Sequence, residues 1–129
     1  MSQTKAQLLN PLGELSSSDV TVNSISIGKG ANSVAGNTVL GESALDASVS
    51  GGFNVAIGRN ALTTLTSGTN NSALGNNALK ENTTASSNTA IGNDALKANT
   101  TGANNVAVGA NALDTNTTGS GLTAVGKGA

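Results

Sequence analysis

From residue 37 onward the chain repeats itself every 17 residues, and a period that short restricts the fold more than any other property of the sequence. Five complete units align without gaps at 37–53, 54–70, 71–87, 88–104 and 105–121, and a sixth begins at Leu122. The first position of each unit is Asn37, Asn54, Asn71, Asn88 and Asn105, then Leu122. The third is Val39, Ala56, Ala73, Ala90, Ala107 and Ala124, and the fourth is Leu40, Ile57, Leu74, Ile91, Val108 and Val125. An unbroken glycine column follows at Gly41, Gly58, Gly75, Gly92, Gly109 and Gly126. The eighth position is Ala44, Ala61, Ala78, Ala95, Ala112 and Ala129, with Leu45, Leu62, Leu79, Leu96 and Leu113 directly after it.

Helical repeats need about 33 residues or more, because each unit must hold two helices. The Gly, Asn, Ser and Thr content opposes long helices as well. Short strands joined by turns fit, and the expected fold is therefore all-β, a stacked solenoid with one coil per 17 residues. Strand alternation places the second and fourth positions on one side and the third on the other. Val55/Ile57, Thr89/Ile91 and Val106/Val108 are expected inside the coil, with the small third column (Ala56, Ala73, Ala90, Ala107) left outside for close approach of another surface. Leu62 and its column are expected to fill the second half of the interior, and Ala61 and its column to face outward or towards a neighbouring chain. Asn82-Thr83-Thr84-Ala85, Asn99-Thr100-Thr101-Gly102 and Asn116-Thr117-Thr118-Gly119 read as a band of polar, solvated turns. Coils about 4.8 Å apart make a rod on the order of 25–30 Å long.

Ser24-Ile25-Ser26-Ile27-Gly28-Lys29-Gly30-Ala31 parallels Leu122-Thr123-Ala124-Val125-Gly126-Lys127-Gly128-Ala129, so the β-roll is assigned to 20–129 with an irregular first coil. Residues 1–19 stand outside the repeat and read as an extended arm or attachment segment. Leu8, Leu9 and Leu12 are its candidate attachment residues, since apolar side chains gain little on a solvated tail; packing against the first coil is the equal alternative.

Composition supports stacking over a conventional core. The chain is 36% apolar, but it has one aromatic residue, Phe53, and 17 Gly, so large side chains are scarce. A net charge of −1 without a basic run gives nucleic-acid binding no electrostatic support. No apolar stretch approaches the roughly 18 residues of a membrane span, and the first residues lack the apolar core of a secretory signal. With no Cys, neither a disulfide framework nor an oxidising compartment is required.

Asn54-Val55-Ala56-Ile57-Gly58 and Asn105-Val106-Ala107-Val108-Gly109, with the Ala-Leu pair three residues later, resemble the head repeats of trimeric autotransporter adhesins. They are more similar still to repeats in bacteriophage fibre and other virion proteins. The resemblance covers roughly residues 24–129 and implies a left-handed parallel β-roll with three chains side by side. It also implies a virion structural protein on the exterior of a capsid or fibre, decorating or cementing the shell. The implied partners are further copies of the chain, as a homotrimer, and a major capsid protein or another virion protein.

An enzyme is not expected. No His and no Cys removes His-based triads, Cys-His pairs and zinc clusters, so no catalytic, metal or cofactor-binding residue is assigned. Asp94, Asp114, Glu42, Asp46 and Glu81 read as solvated carboxylates, and Gly28-Lys29-Gly30 and Gly126-Lys127-Gly128 lack the surroundings of a phosphate loop. Lys80 and Lys97 share a column with Asp46 and Asp114 and read as decoration of a solvated face. The Asn-x-Ser/Thr matches at Asn70, Asn82, Asn99 and Asn116 read as accidental. The alternative function is a host-receptor module in a fibre or adhesin, whose Thr-Thr-Gly loops would hydrogen-bond a surface glycan without an aromatic platform. Ice binding ranks third, because flat Thr-x-Thr ladders are absent.

Overall fold

The computed structural model describes residues 19–129, so the arm expected at 1–19, with Leu8, Leu9 and Leu12, lies outside the described residues apart from Asp19. Eight strands form one sheet in chain order: β1 (Val20–Val22), β2 (Ile25–Gly28), β3 (Thr38–Gly41), β4 (Val55–Ile57), β5 (Ser72–Leu74), β6 (Thr89–Ile91), β7 (Val106–Val108) and β8 (Thr123–Val125). From β3 to β8 every pairing is parallel and shifted by one repeat, as in Val39↔Ala56↔Ala73↔Ala90↔Ala107↔Ala124. The chain is thus an all-β, left-handed parallel solenoid with 17-residue coils. Eight strands at the usual spacing give a rod on the order of 35 Å long. The segment around Ser24–Ala31, expected as a short coil, differs: β1 and β2 are an antiparallel hairpin, and β2 pairs antiparallel with β3. Asp19 fastens this end, its carboxylate accepting from the backbone N–H of Lys29 (2.6 Å) and of Gly30 (2.7 Å).

The interior corrects the expected facing of the strands. Ala56, Ala73, Ala90 and Ala107 point inward and are fully buried, while Leu40, Leu74 and Ile91 point outward and are exposed. Ala61, Ala78, Ala95 and Ala112, expected to face outward, are also fully buried, whereas the Leu45, Leu62, Leu79 and Leu96 column is interior as expected. Volume explains the inversion. Each level of the coil already encloses one whole Leu, an Asn from the first position and a further residue from the loop, so the inner face of the sheet has room only for a methyl. Branched side chains must then take the outer face.

Besides the glycine column, coiling this tightly uses left-handed backbone at three further positions per repeat. The seventh carries Asn60, Asn77, Asp94 and Asn111, residue types that tolerate it. The ninth is the leucine column, with φ of 52° at Leu62 and 50° at Leu96. That conformation costs about 1–2 kcal/mol, which the roughly 1.5–3 kcal/mol from burying a whole leucine offsets. The seventeenth carries Asn70, Ser87, Asn104 and, as its one bulky member, Phe53 (φ 61°).

The first-position asparagines are buried and do two jobs at once. Each Oδ1 accepts the backbone N–H of the next coil's asparagine: Asn54 to Asn37 (2.8 Å), Asn71 to Asn54 (3.0 Å), Asn88 to Asn71 (3.0 Å) and Asn105 to Asn88 (2.9 Å). Each Nδ2 donates across its own coil, Asn54 to the Gly68 carbonyl (3.0 Å), Asn71 to Ala85 (2.9 Å) and Asn88 to Gly102 (2.9 Å). Leu122 ends the ladder, giving its N–H to Asn105 Oδ1 (2.9 Å) but offering no oxygen in return.

The turns expected to be solvated hold a second interior column. Asn82 and Asn99 are fully buried, their Nδ2 groups donating to the Ala85 (3.1 Å) and Gly102 (2.9 Å) carbonyls, which removes both as glycan acceptors. One coil earlier the same column holds the buried Leu65. Asn82 stands at the junction, and its Oδ1 is a buried oxygen without a hydrogen-bond partner.

Two pairs of variants test this architecture by urea unfolding. A Cβ on Gly75 would overlap the Gly92 carbonyl, whereas one on Gly126 meets nothing within 4 Å, though both have positive φ. Gly75→Ala is expected to cost at least about 2 kcal/mol more than Gly126→Ala. Asn71→Leu strands the buried N–H of Asn88 and is expected to cost about 2–3 kcal/mol. Asn82→Leu removes an orphan oxygen and leaves Ala85 bonded to Asn71, so it is expected to unfold at a urea concentration no lower than the wild type.

Candidate interaction surface

The side chains displaced from the interior line up on the outer face of the sheet. Register places Val20, Ile27, Leu40, Ile57, Leu74, Ile91, Val108 and Val125 opposite one another in one row, one branched apolar residue from every strand. Leu74 is 47% exposed, Ile91 40% and Val125 70%. A second row beside it runs Thr38, Val55, Ser72, Thr89, Val106 and Thr123. No strand residue is charged, so an eight-stranded face presents only apolar and hydroxyl side chains to its surroundings. This uncharged face, with its apolar row, is the candidate interaction surface of the fold.

Charge lies on the other sides of the coil. Arg59 pairs with Glu42 (3.4 Å), Lys80 with Glu81 (3.3 Å) and Lys97 with Asp94 (3.6 Å), exposed or half-exposed contacts of small energetic weight. The seventh-position residues form an outer amide ladder, Asn60 Nδ2 to Asn77 Oδ1 (3.0 Å) and Asn77 Nδ2 to Asp94 Oδ1 (2.9 Å). The hydrogen bond from Asn77 is the main reason the Asp94 carboxyl lies below its ordinary value. Partial burial opposes it, and the Lys97 ammonium and the Asn93 amide (2.7 Å) add to the lowering.

Among the described residues no group of three His, Cys, Asp or Glu side chains is placed to hold a metal ion, and no helix is long and apolar enough to cross a membrane. At Gly28-Lys29-Gly30 the N–H groups of Lys29 and Gly30 are taken by the Asp19 carboxylate. The threonines of the loops are engaged with backbone: Thr66 Oγ1 donates to the Thr83 carbonyl (3.0 Å) and Thr100 Oγ1 to Thr117 (3.0 Å).

Of the residues picked out by the repeat, Ile57, Leu74, Ile91 and Val108 form the row, while Ala56, Ala61, Leu62, Ala73, Ala90 and Ala107 form the core behind it. Gly58, Gly75, Gly92 and Gly109 turn the chain at the edge of the face, each stacked on the backbone of the next glycine. Two columns of small residues, all alanine except Val39, beside one leucine column were the signal for a narrow interior, and with it for the outward row. No family model, no curated protein and no solved structure matches the chain. Its class is therefore defined by the fold: a repeat-built β-solenoid of the fibrous, structural kind.

Asp94 yields a pH prediction. Its folded-state value is depressed, so its contribution to stability is complete above the ordinary carboxylate value and is lost as pH falls through the lower, folded one. Urea midpoints measured from about pH 6 to pH 2 are expected to fall across that acid window, with a shallower fall for Asp94→Asn.

Proposed function

We propose that the chain is a virion structural protein of a bacteriophage, a homotrimeric β-roll that decorates or cements the capsid exterior or forms a small fibre. The observation that carries the assembly is the uncharged outer face with its row from Val20 to Val125. Left in water, each exposed Leu, Ile or Val of that row forgoes burial at roughly 25 cal/mol per Å². A second copy has the same rung spacing, so its row can meet this one rung for rung along the rod. Three copies arranged about one axis would cover all three rows. The phage setting rests on the resemblance of the Asn-x-Ala-x-Gly repeats to those of virion proteins. In this reading the protein is not an enzyme and takes no cofactor. Its work is mechanical: a polar, hydrogen-bonded exterior around an apolar seam, held to a major capsid protein or another virion component through the arm carrying Leu8, Leu9 and Leu12.

Sedimentation of the full-length chain is expected to give three times the monomer mass, and Ile91→Lys, which sets a charge in the middle of the seam, a monomer. A wild type that is monomeric at every concentration rejects the trimer. Replacing Leu8, Leu9 and Leu12 with Ser is expected to leave the trimer intact while abolishing its retention on capsid shells.

A further inference from the structure

Phe53 breaks the rule of its column. The seventeenth position is held in left-handed backbone, and the chain fills it with Gly36, Asn70, Ser87, Asn104 and Gly121, all types that accept positive φ, except at Phe53. A bulky side chain with φ of 61° is an outlier, and such residues persist where the surroundings or a function hold them. The leucine column shows the usual compensation, strain offset by complete burial, but Phe53 has none: it is 69% exposed. Its ring lies along the preceding coil, over Gly36, where an added Cβ would come within 2.7 Å of Cδ1. It stands two residues before β4, at the hairpin end of the rod where Ile25, Ile27 and Leu40 are exposed as well.

We infer that Phe53 is the anchor of the contact between copies of this chain, the residue that fixes their axial register. This rests on the assembly proposed above and adds to it. A row of similar residues at equal spacing has no unique alignment, because a slip of one rung pairs Leu or Ile with Leu or Ile again. Slippage is the weakness of a periodic interface. One large ring at a single level removes it, since only the unslipped arrangement brings the rings of all copies to the same height. Phe, like Tyr and Trp, is also enriched at interfaces between proteins. The second copy, rather than an unrelated ligand, is the occupant because the exposed ring stands just before β4, one strand of a face that runs the whole rod and repeats at the rod's own spacing.

The test uses the full chain with Phe53→Asn and Phe53→Ser, the residues that the same column holds at Asn70, Asn104 and Ser87. Association is read by sedimentation over a dilution series, and stability by the thermal midpoint at dilutions where the copies have separated. Both variants are expected to associate at least about tenfold more weakly than the wild type. Once separated, they are expected to melt no lower than the wild type, and up to about 4–8 °C higher, because the left-handed strain is relieved. Association as tight as that of the wild type overturns the anchor. So does a lower midpoint for the separated variants, which would make the ring a structural cover for Gly36. A wild type that never associates overturns the assembly itself, an outcome distinct from both.

Discussion

The buried asparagine ladder is the interaction on which the rest of the solenoid depends. A stacked coil has to satisfy two demands: closing each turn on itself and fixing the next turn at the right height. Asn54, Asn71 and Asn88 meet both with one side chain, the amide nitrogen bridging its own coil and the oxygen receiving the next coil's N–H. A hydroxyl carries its donor and its acceptor on one short-armed oxygen, whereas the amide reaches two partners with two separate atoms, and an ionised carboxylate has no donor at all. A carboxylate would also have to be buried repeatedly at one coil spacing, which like charges do not tolerate. The uniformity of the first column follows from that chemistry, and Leu122 shows what happens where the demand ends.

Much of this was legible in the sequence. A 17-residue period with Gly in one column and Leu in another admits a stacked β-coil and little else, and the parallel sheet from Thr38 to Val125 follows that period rung by rung. The direction of the strands was not legible from hydrophobicity, because the larger residues at the second and fourth positions look like core. Side-chain volume decides between the faces, and volume depends on the width of the coil, a property of the closed structure. The same limit hid Asn82 and Asn99. Asn-Thr-Thr reads as a solvated turn by composition, yet the turn is tight enough that its asparagine folds inward to hold the carbonyl three residues on. The hairpin was missed for a related reason: Ser24–Ala31 and Leu122–Ala129 are alike residue by residue, but strand direction is set by the connection that follows, and Ala31–Gly36 is shorter than the corresponding part of a full repeat.

In the proposed assembly, folding and association would be coupled through the narrow interior. A coil that encloses one leucine, two alanines and an asparagine per level buries little apolar area for the residues it orders, and backbone order alone costs roughly 1–2 kcal/mol per residue. It also spends conformational energy on left-handed leucines. Such a coil draws its stability from repetition, each level hydrogen-bonded to two neighbours, and from whatever its outer face can gain. The outer face is therefore where the sequence has kept its branched residues. Interior and seam are two consequences of one volume limit.

That reasoning also explains why the seam is mixed. If both outward rows were Ile and Leu, an eight-stranded uncharged face would adhere to any apolar surface, including itself in wrong registers. The second row instead sets Ser72 and Thr89 between Val55 and Val106, with Thr38 and Thr123 beyond them, so a hydroxyl flanks the apolar row at four of six levels. A mismatched partner would bury those hydroxyls without hydrogen bonds, at a cost of roughly 1–3 kcal/mol each. A copy docked around a common axis, with the apolar rows innermost, can leave them at the wet margin. In the proposed assembly, selectivity along the circumference would come from where the hydroxyls lie, and selectivity along the rod from something that does not repeat, the role inferred above for Phe53.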